Sequence, residues 1–178
     1  MDTFTEKLEV GRIGENIIAK WFINRGFNVL PAYEIEVPTG KGPRIFTATG
    51  GIISPDMLVF NHDKIFWIEA KTKSAFTWHR ISRTFQTGID KRHWEDYLKI
   101  QSIVNWPIWL IFWHKPGLLA KDTPPGMISP SGLFGNDINI LKNKIHHSHD
   151  NHGSSGMVYW THDSFILLAN TLEELRQL

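Results

Sequence analysis

The sequence contains no cysteine, which excludes both disulfide bridges and thiolate metal sites. It also lacks a long apolar run, because the richest stretch, residues 103–113, is interrupted by Asn105 and Pro107 and is shorter than the ~18 residues that a membrane span needs. The charged residues Asp2 and Glu6 near the N-terminus do not fit a secretory signal. We therefore expect a soluble cytoplasmic protein with no membrane partner.

Several motifs are missing as well. Residues 39–44 form a turn rich in glycine and proline but lack the spacing of a phosphate-binding loop. Residues 153–156 lack the spacing of a nucleophile elbow. No repeat or linker divides the 178 residues, and 42% of them are hydrophobic, so we predict a single domain over residues 1–178.

The net charge of the chain is only +1, but its distribution is uneven. Residues 71–93 hold six basic residues and one acidic residue, whereas the rest of the chain holds 13 basic and 17 acidic residues. Phe76, Trp78 and Phe85 alternate with these cations. Cations that pair with phosphates, beside rings that stack on bases, are typical of a nucleic-acid groove. The residues predicted to bind nucleic acid are Lys73, Trp78, Arg80, Arg83, Lys91 and Arg92. The alternative is a long surface loop with its aromatic side chains in the core.

A hairpin is the most informative local pattern. The apolar, β-prone runs 57–60 and 65–68 are joined by turn-forming residues, with Asp56 just before the first run and Glu69 at the end of the second. Lys71 follows Glu69 by two residues, and side chains two apart in a strand point to the same face. The hairpin therefore brings two carboxylates and one ammonium group together, an arrangement that is costly for stability alone.

An amphipathic helix is predicted from about Thr3 to Arg25, because apolar residues recur there at helical spacing, and Gly26 is a natural stop. Gly11 and Gly14 are unusual inside a helix, where each costs about 1 kcal/mol relative to alanine. We interpret them as positions that another backbone or a ligand approaches closely.

Two short segments next to apolar strands resemble the metal-dependent nuclease superfamily that is named for its PD-(D/E)xK motif. They are Pro55-Asp56 and Glu69-Ala70-Lys71. Glu15, next to Gly14 on the first helix, is similar to a glutamate that many members carry there. The resemblance implies an α/β, restriction-endonuclease-like core, with a central mixed sheet of about five strands flanked by helices. It also implies a Mg²⁺- or Mn²⁺-dependent endonuclease that hydrolyses phosphodiester bonds of DNA.

The resemblance also implies roles for individual residues. Asp56, Glu69, Lys71 and Glu15 would be catalytic, and Glu15, Asp56, Glu69 and the Ala70 carbonyl would hold the metal. Oxygen ligands of this kind suit Mg²⁺ or Mn²⁺. In related nucleases a helix after the motif packs beside the site, which implies supporting contacts from Tyr97 and Gln101. Branched DNA and phage or mobile-element DNA are candidate substrates, and a homodimer is left open.

Other elements follow from local patterns. A helix over 93–104, with Asp90 as its N-cap, and a buried strand over 108–113 predict a βαβ crossover from the hairpin's second strand to a parallel neighbour. The pattern over 133–151 leaves strand and helix open. The further predictions are strands over 27–30, 33–37, 157–160 and 165–168, a loop over 115–131, and a helix with a capping box over 171–175.

His146, His147, His149 and His152 leave two interpretations, a metal site or a polar loop, because their spacing fits no ligand motif. Two other functions also stay open for the chain. One is a catalytically inactive nucleic-acid-binding module on the same fold, and the other is a protein-interaction module that uses the eight tryptophans.

Overall fold

The computed structural model describes residues 4–32, 43–48, 50–120, 122–171 and 174. Its three α-helices are α1 (Phe4–Ile23), α2 (Lys91–Val104) and α3 (Ile138–Leu141). The strands are β1 (Asn28–Pro31), β2 (Arg44–Thr47), β3 (Gly50–Ile53), β4 (Met57–Phe60), β5 (Ile65–Lys73), β6 (Thr77–His79), β7 (Thr84–Asp90), β8 (Ile108–His114), β9 (Gly132–Asp137), β10 (His147–His149), β11 (Met157–Thr161) and β12 (Ile166–Ala169). A 3₁₀ turn (His162–Ser164) joins the last two strands.

The central sheet is mixed and has six strands in the order β1-β4-β5-β8-β9-β12, one more than the predicted five. The pair β5–β8 is parallel, as the crossover predicted, and the other pairs are antiparallel. Glu69 lies opposite Leu110 in this pair. β5 continues through Glu69 and Lys71 to Lys73, so both side chains project from one strand, as predicted.

Both faces of the central sheet are covered, as the apolar run over 108–113 predicted. On one face Ile111 and Trp113 pack with Ile18 and other residues of α1. On the opposite face Leu110 and Phe112 pack with α2 and with a second sheet. Because alternate residues of a strand point to opposite faces, Glu69 and Lys71 lie on the α2 face, whereas Ala70 lies on the α1 face.

The second sheet is antiparallel, with strand order β10-β11-β7-β6, and it corrects the interpretation of residues 74–92. Phe76 and Phe85 are buried in the core and cannot stack on bases. Trp78 is half-buried and packs edge-to-face on Phe85, with ring centroids 5.0 Å apart. Of the three rings, only Trp78 keeps exposed surface.

The helices predicted over residues 3–25 and 93–104 are confirmed as α1 and α2, with small shifts at the ends. Gly26 has φ +81°, the left-handed conformation of a residue that follows a helix. Asp90 is the N-cap of α2, but its side chain makes no capping hydrogen bond. None of the helices in the described ranges is long and apolar enough to cross a membrane.

The later part of the chain settles one open prediction. Residues 133–151 contain both alternatives, namely β9, α3 and β10. The two late strands are confirmed as β11 and β12. The Thr171 hydroxyl accepts the Glu174 N–H at 3.1 Å, which is one half of the predicted capping box, and the rest of that helix lies outside the described residues. The predicted strand over 33–37 and the turn over 39–42 lie outside them too.

Candidate active site at the end of the central sheet

Asp56 lies directly before β4, at the point where β4 stops pairing with β5. Its Oδ2 accepts the backbone N–H of Ala70 at 2.8 Å. The N–H and C=O of one strand residue point to the same side of the strand, so the Ala70 carbonyl faces the same open edge as the Asp56 carboxylate. The chain thereby places a carboxylate and a carbonyl at one edge of β5.

Glu69 is 1% exposed, which is rare for a carboxylate. It forms an ion pair with the half-buried Lys71, and neither of its oxygens accepts a hydrogen bond of good geometry from the residues that the structure describes. An ionised carboxylate in such a place costs free energy unless a cation or a donor compensates it. The site therefore has unused capacity for a positively charged ligand.

The site raises the pKa values of two carboxylates, Asp56 and Glu15. Burial and the neighbouring Glu69 raise the pKa of Asp56 from 3.8 to about 7. Burial and the Asp56 charge likewise raise the pKa of Glu15 above its usual range. For Lys71, burial favours the neutral amine, but Glu69 and Asp56 outweigh it and raise the pKa of the ammonium group. Lys71 thus stays a cation, and Asp56 holds a proton at pH values below neutrality.

Glu15 reaches this edge from α1. It shares a cleft of about 350 Å³ with Asp56, and the lining residues are Arg12, Glu15, Asn16, Ala19, Val29, Pro31, Asp56 and Met57. A Cβ atom on Gly14 would lie 1.6 Å from Thr72 Oγ1, so Gly14 is a position of close approach, but to a side chain and not to the predicted backbone or ligand. At Gly11 a Cβ atom would meet none of the described residues within 4 Å, so the prediction for Gly11 stays a prediction.

The donor set fits a hard divalent cation. Asp56, Glu69 and the Ala70 carbonyl supply oxygen atoms, which Mg²⁺ and Mn²⁺ prefer. The buried Glu69 oxygens, which accept no hydrogen bond of good geometry from the described residues, are the observation that favours such an ion. Over the described ranges, no three His, Cys, Asp or Glu side chains are grouped so as to hold a metal ion by themselves. A metal here would therefore depend on two carboxylates, the carbonyl and ligands from water or substrate.

α2 closes the other side of the site. Tyr97 is 1% exposed and therefore belongs to the interior. Burial, then the charges of Glu69 and Asp56, raise the pKa of Tyr97 well above its usual range, which keeps its hydroxyl protonated. Gln101, one turn later, is half-buried and makes no hydrogen bond or ion pair with a described site residue. The structure thus brings Tyr97 to the carboxylates but not Gln101.

The six predicted nucleic-acid contacts separate into three groups. Lys73 lies at the end of β5, where burial and the Lys71 charge lower its pKa. Arg80 and Lys91 are already paired with acids, at 2.6 Å with Asp122 and 2.9 Å with Asp150. The others are exposed or half-exposed on the β6–β7 hairpin and the first turn of α2, namely Trp78, Arg83 and Arg92.

Two residues near the site were missed by the sequence reasoning. Arg12 lines the cleft and lies three residues before Glu15, hence on the same helix face. His93 lies four residues before Tyr97, with its Nδ1 3.5 Å from the Tyr97 hydroxyl. Burial and the Lys71 charge lower the pKa of His93. Helical spacing from Glu15 and Tyr97 was the signal that could have found both.

The histidine-rich segment forms neither a metal site nor a simple loop. His147 and His149 lie in β10, and the His147 ring stacks on Tyr159 with centroids 4.7 Å apart. The Nδ1 atoms of His146 and His147 are 2.7 Å apart, a separation that requires at least one neutral ring. As at the candidate site, the described residues here hold no group of three metal-ligating side chains.

The Asp56→Asn variant is expected to be more stable than the wild type at pH 8 in EDTA. The raised pKa of Asp56 means that the folded chain binds a proton between pH 3.8 and about 7 that the unfolded chain lacks. Stability should therefore fall as the pH rises through this window. The neutral side-chain amide of the variant cannot ionise and so removes this loss. At ~1.4 kcal/mol per pKa unit, reduced because solvent screens part of the interaction, we expect the free energy of unfolding to rise by about 2 kcal/mol.

Thermal unfolding of both proteins at pH 5 and pH 8 measures this effect. The variant's advantage should be clearly smaller at pH 5 than at pH 8, because the loss of stability in the wild type begins near pH 3.8 and is complete above about pH 7. A variant that is less stable than the wild type at pH 8 in EDTA would show that the Asp56 charge is compensated in the folded chain.

No model of a known protein family matches the chain, and no curated protein matches it. Its fold is restriction-endonuclease-like, as the motif predicted. The solved structures that it resembles include a Holliday junction resolvase from the archaeal hyperthermophile Archaeoglobus fulgidus, with a TM-score of 0.50, 8% sequence identity, and coverage of 87% of this chain and 91% of the resolvase. A nuclease from a fusselovirus is similar at a TM-score of 0.46 and 17% identity, over 99% of this chain and 94% of that nuclease.

Proposed function

We propose that the chain is a divalent-metal-dependent nuclease that hydrolyses phosphodiester bonds of DNA. The observation that carries this proposal is the buried Glu69 carboxylate, ion-paired with Lys71 and next to an Asp56 of raised pKa, at an open edge of the sheet. The Holliday junction resolvase with a similar fold supports DNA as the class of substrate. Strongly perturbed carboxylates at an edge are more typical of a site than of a structural ion pair.

In the proposed reaction, Asp56, Glu69 and the Ala70 carbonyl hold Mg²⁺ or Mn²⁺, an ion that supplies Lewis-acid chemistry to the phosphate and to water. Lys71 contributes a permanent positive charge, because its neighbours raise its pKa. It therefore neutralises charge that develops on the phosphate and does not serve as a base at neutral pH. Tyr97 stays protonated beside Glu69, and Glu15 adds a third carboxylate from α1.

The chain's nucleic-acid contacts follow from the same placement. Lys73 extends the positive charge along β5, and Arg83 and Arg92 offer exposed guanidinium groups to phosphates on the α2 side of the sheet. We propose that residues 1–178 act as one nuclease domain. An inactive binding module with this fold would need no pair of buried carboxylates at the edge of the sheet, and Glu69 and Asp56 therefore favour catalysis.

The test is cleavage of supercoiled plasmid, linear duplex, single strand and a four-way junction with Mg²⁺ or Mn²⁺. We expect cleavage that EDTA abolishes and that Glu69→Ala reduces by about a thousandfold, the scale of losing a charged catalytic group. Glu95→Ala, which removes an exposed glutamate of α2, is the matched control and should cut like the wild type. The substrate that is cut fastest identifies the form of DNA on which the chain acts.

Metal binding is measured separately from cutting. Mg²⁺ should raise the Tm of the wild type and of Glu95→Ala by mass action, and should leave Glu69→Ala unchanged. If no divalent ion shifts the Tm and no substrate is cut, the chain is a binding module, and the nuclease proposal fails.

A further inference from the structure

The β6–β7 hairpin ends in a tip, residues 80–83, that projects an apolar side chain into solvent. Ile81 at this tip is 90% exposed and stands between Arg80 and Arg83. Hairpin tips usually consist of Gly, Asn, Asp or Ser, because these residues suit turn geometry. A β-branched apolar residue has no local reason to stand there and contributes no burial to folding. Arg83 even adopts φ +53°, which is unfavourable for a side chain of its size.

The tip is held by its own hydrogen bonds. His79 Nδ1 accepts the Ser82 N–H at 3.3 Å, and the Ser82 and Thr84 hydroxyls lie 2.8 Å apart. The guanidinium group of Arg80 donates to Asp122 at 2.6 Å and ties the tip to the loop after β8. The Ile81 side chain is therefore presented on a pre-organised turn, which lowers the ordering cost of inserting it into a partner.

The tip is also close to the proposed active site along the chain. Eight residues separate Ile81 from Lys73, and an extended chain spans about 3.5 Å per residue, so Ile81 lies within about 28 Å of the end of β5. This reach corresponds to about eight base pairs of duplex at about 3.4 Å each. β7 then returns from the tip to α2, which carries Tyr97.

We propose that Ile81 is an apolar wedge that inserts between stacked bases of duplex DNA beside the cleavage site, with the exposed Arg83 on a flanking phosphate. The proposal rests on the nucleic-acid substrate of the proposed function. Apolar side chains inserted at a base step unstack it and kink the duplex, and flexible pyrimidine–purine steps or branch points are the least costly places to do so. The wedge would favour deformable or branched duplexes over uniform ones.

The experiment uses the full chain with Glu69→Gln, which keeps the DNA intact, and duplexes with 2-aminopurine at successive steps. Binding should raise the fluorescence at one step, and Ile81→Ser should remove most of that rise and weaken binding by about tenfold. Ile81→Leu should keep both. Ile128→Ser is the matched control, because Ile128 is equally exposed at 88% but lies outside the tip, and it should behave like the parent.

The outcomes separate this inference from the proposed function. If unstacking depends on Ile81 but the wild-type chain cuts no DNA, the wedge is supported and the nuclease proposal is refuted. Cleavage without any Ile81-dependent unstacking refutes the wedge and leaves the nuclease intact. The wedge is also overturned if the chain binds no duplex, or if the tip binds protein and not DNA. It is overturned as well if Ile128→Ser loses as much affinity and fluorescence rise as Ile81→Ser.

Discussion

The Lys71→Met variant is expected to cut DNA about 100- to 1,000-fold more slowly than the wild type, because it removes the only cation paired with Glu69 in the described site. Methionine keeps most of the length and apolar character of the lysine stem, so the strand should still pack. The loss should appear in kcat, since the ammonium group is proposed to stabilise charge that develops on the phosphate. Single-turnover cleavage of the preferred substrate with Mg²⁺ measures it.

The same variant should be less stable without metal. It leaves the buried Glu69 charge uncompensated, which we expect to cost about 2 kcal/mol, below the usual cost for a fully buried pair because the Lys71 side chain is 31% exposed. Mg²⁺ should then raise the Tm of Lys71→Met more than that of the wild type, since the ion compensates a larger excess of negative charge. This larger metal effect distinguishes loss of a charge from general damage.

Lys64→Met is the matched control, because Lys64 is an exposed lysine in the turn at the opposite end of the same hairpin. It should change neither cleavage nor the metal-dependent gain in Tm. Full activity in Lys71→Met would remove Lys71 from the mechanism. A variant that loses stability but gains no more from Mg²⁺ than the wild type would show that the metal does not bind beside Glu69.

The part of the site that the sequence predicted lies on one hairpin and one helix. Asp56, Glu69 and Lys71 could be placed together because a short turn fixes the pairing of two adjacent strands. The parallel β5–β8 pair followed from the crossover rule, which depends only on the order of elements. Glu15 required one further clue, the glycine at position 14, and the structure supplies the physical reason in the contact with Thr72.

What could not be predicted depends on partners distant in sequence. β7 pairs with β11, about 70 residues later, and this pairing buries Gln86 and Thr87, whose polarity indicated solvent. Phe76 and Phe85 resembled stacking residues because their burial depends on that second sheet. The burial of Tyr97 could not be predicted either, since its environment includes Glu69 on another element. Local periodicity does not contain these contacts.

The Gly14→Ala variant is expected to lose about 3 kcal/mol of stability and most of its cleavage activity. The new methyl carbon would lie 1.6 Å from Thr72 Oγ1 and 2.9 Å from Thr72 Cβ. Thr72 belongs to β5, a central strand that cannot shift without disturbing the sheet. The β-branched threonine is stiff at χ1, so a rotamer change gives little relief. α1 must therefore move away from the sheet, and Glu15 moves with it away from Asp56.

Gly11→Ala is the control from the same helix. Its free energy of unfolding should rise by about 1 kcal/mol, because a Cβ atom there meets none of the described residues within 4 Å and alanine favours the helix. Thr72→Ala should partly rescue Gly14→Ala in both stability and cleavage, since it removes the Oγ1 contact but leaves Cβ. Denaturant unfolding and cleavage rates of the wild type, Gly14→Ala, Thr72→Ala and the double variant give the coupling between positions 14 and 72. Equal stability of Gly14→Ala and Gly11→Ala would mean that α1 does not lie against β5 at this point, and Glu15 would then have no route to the carboxylates of the hairpin.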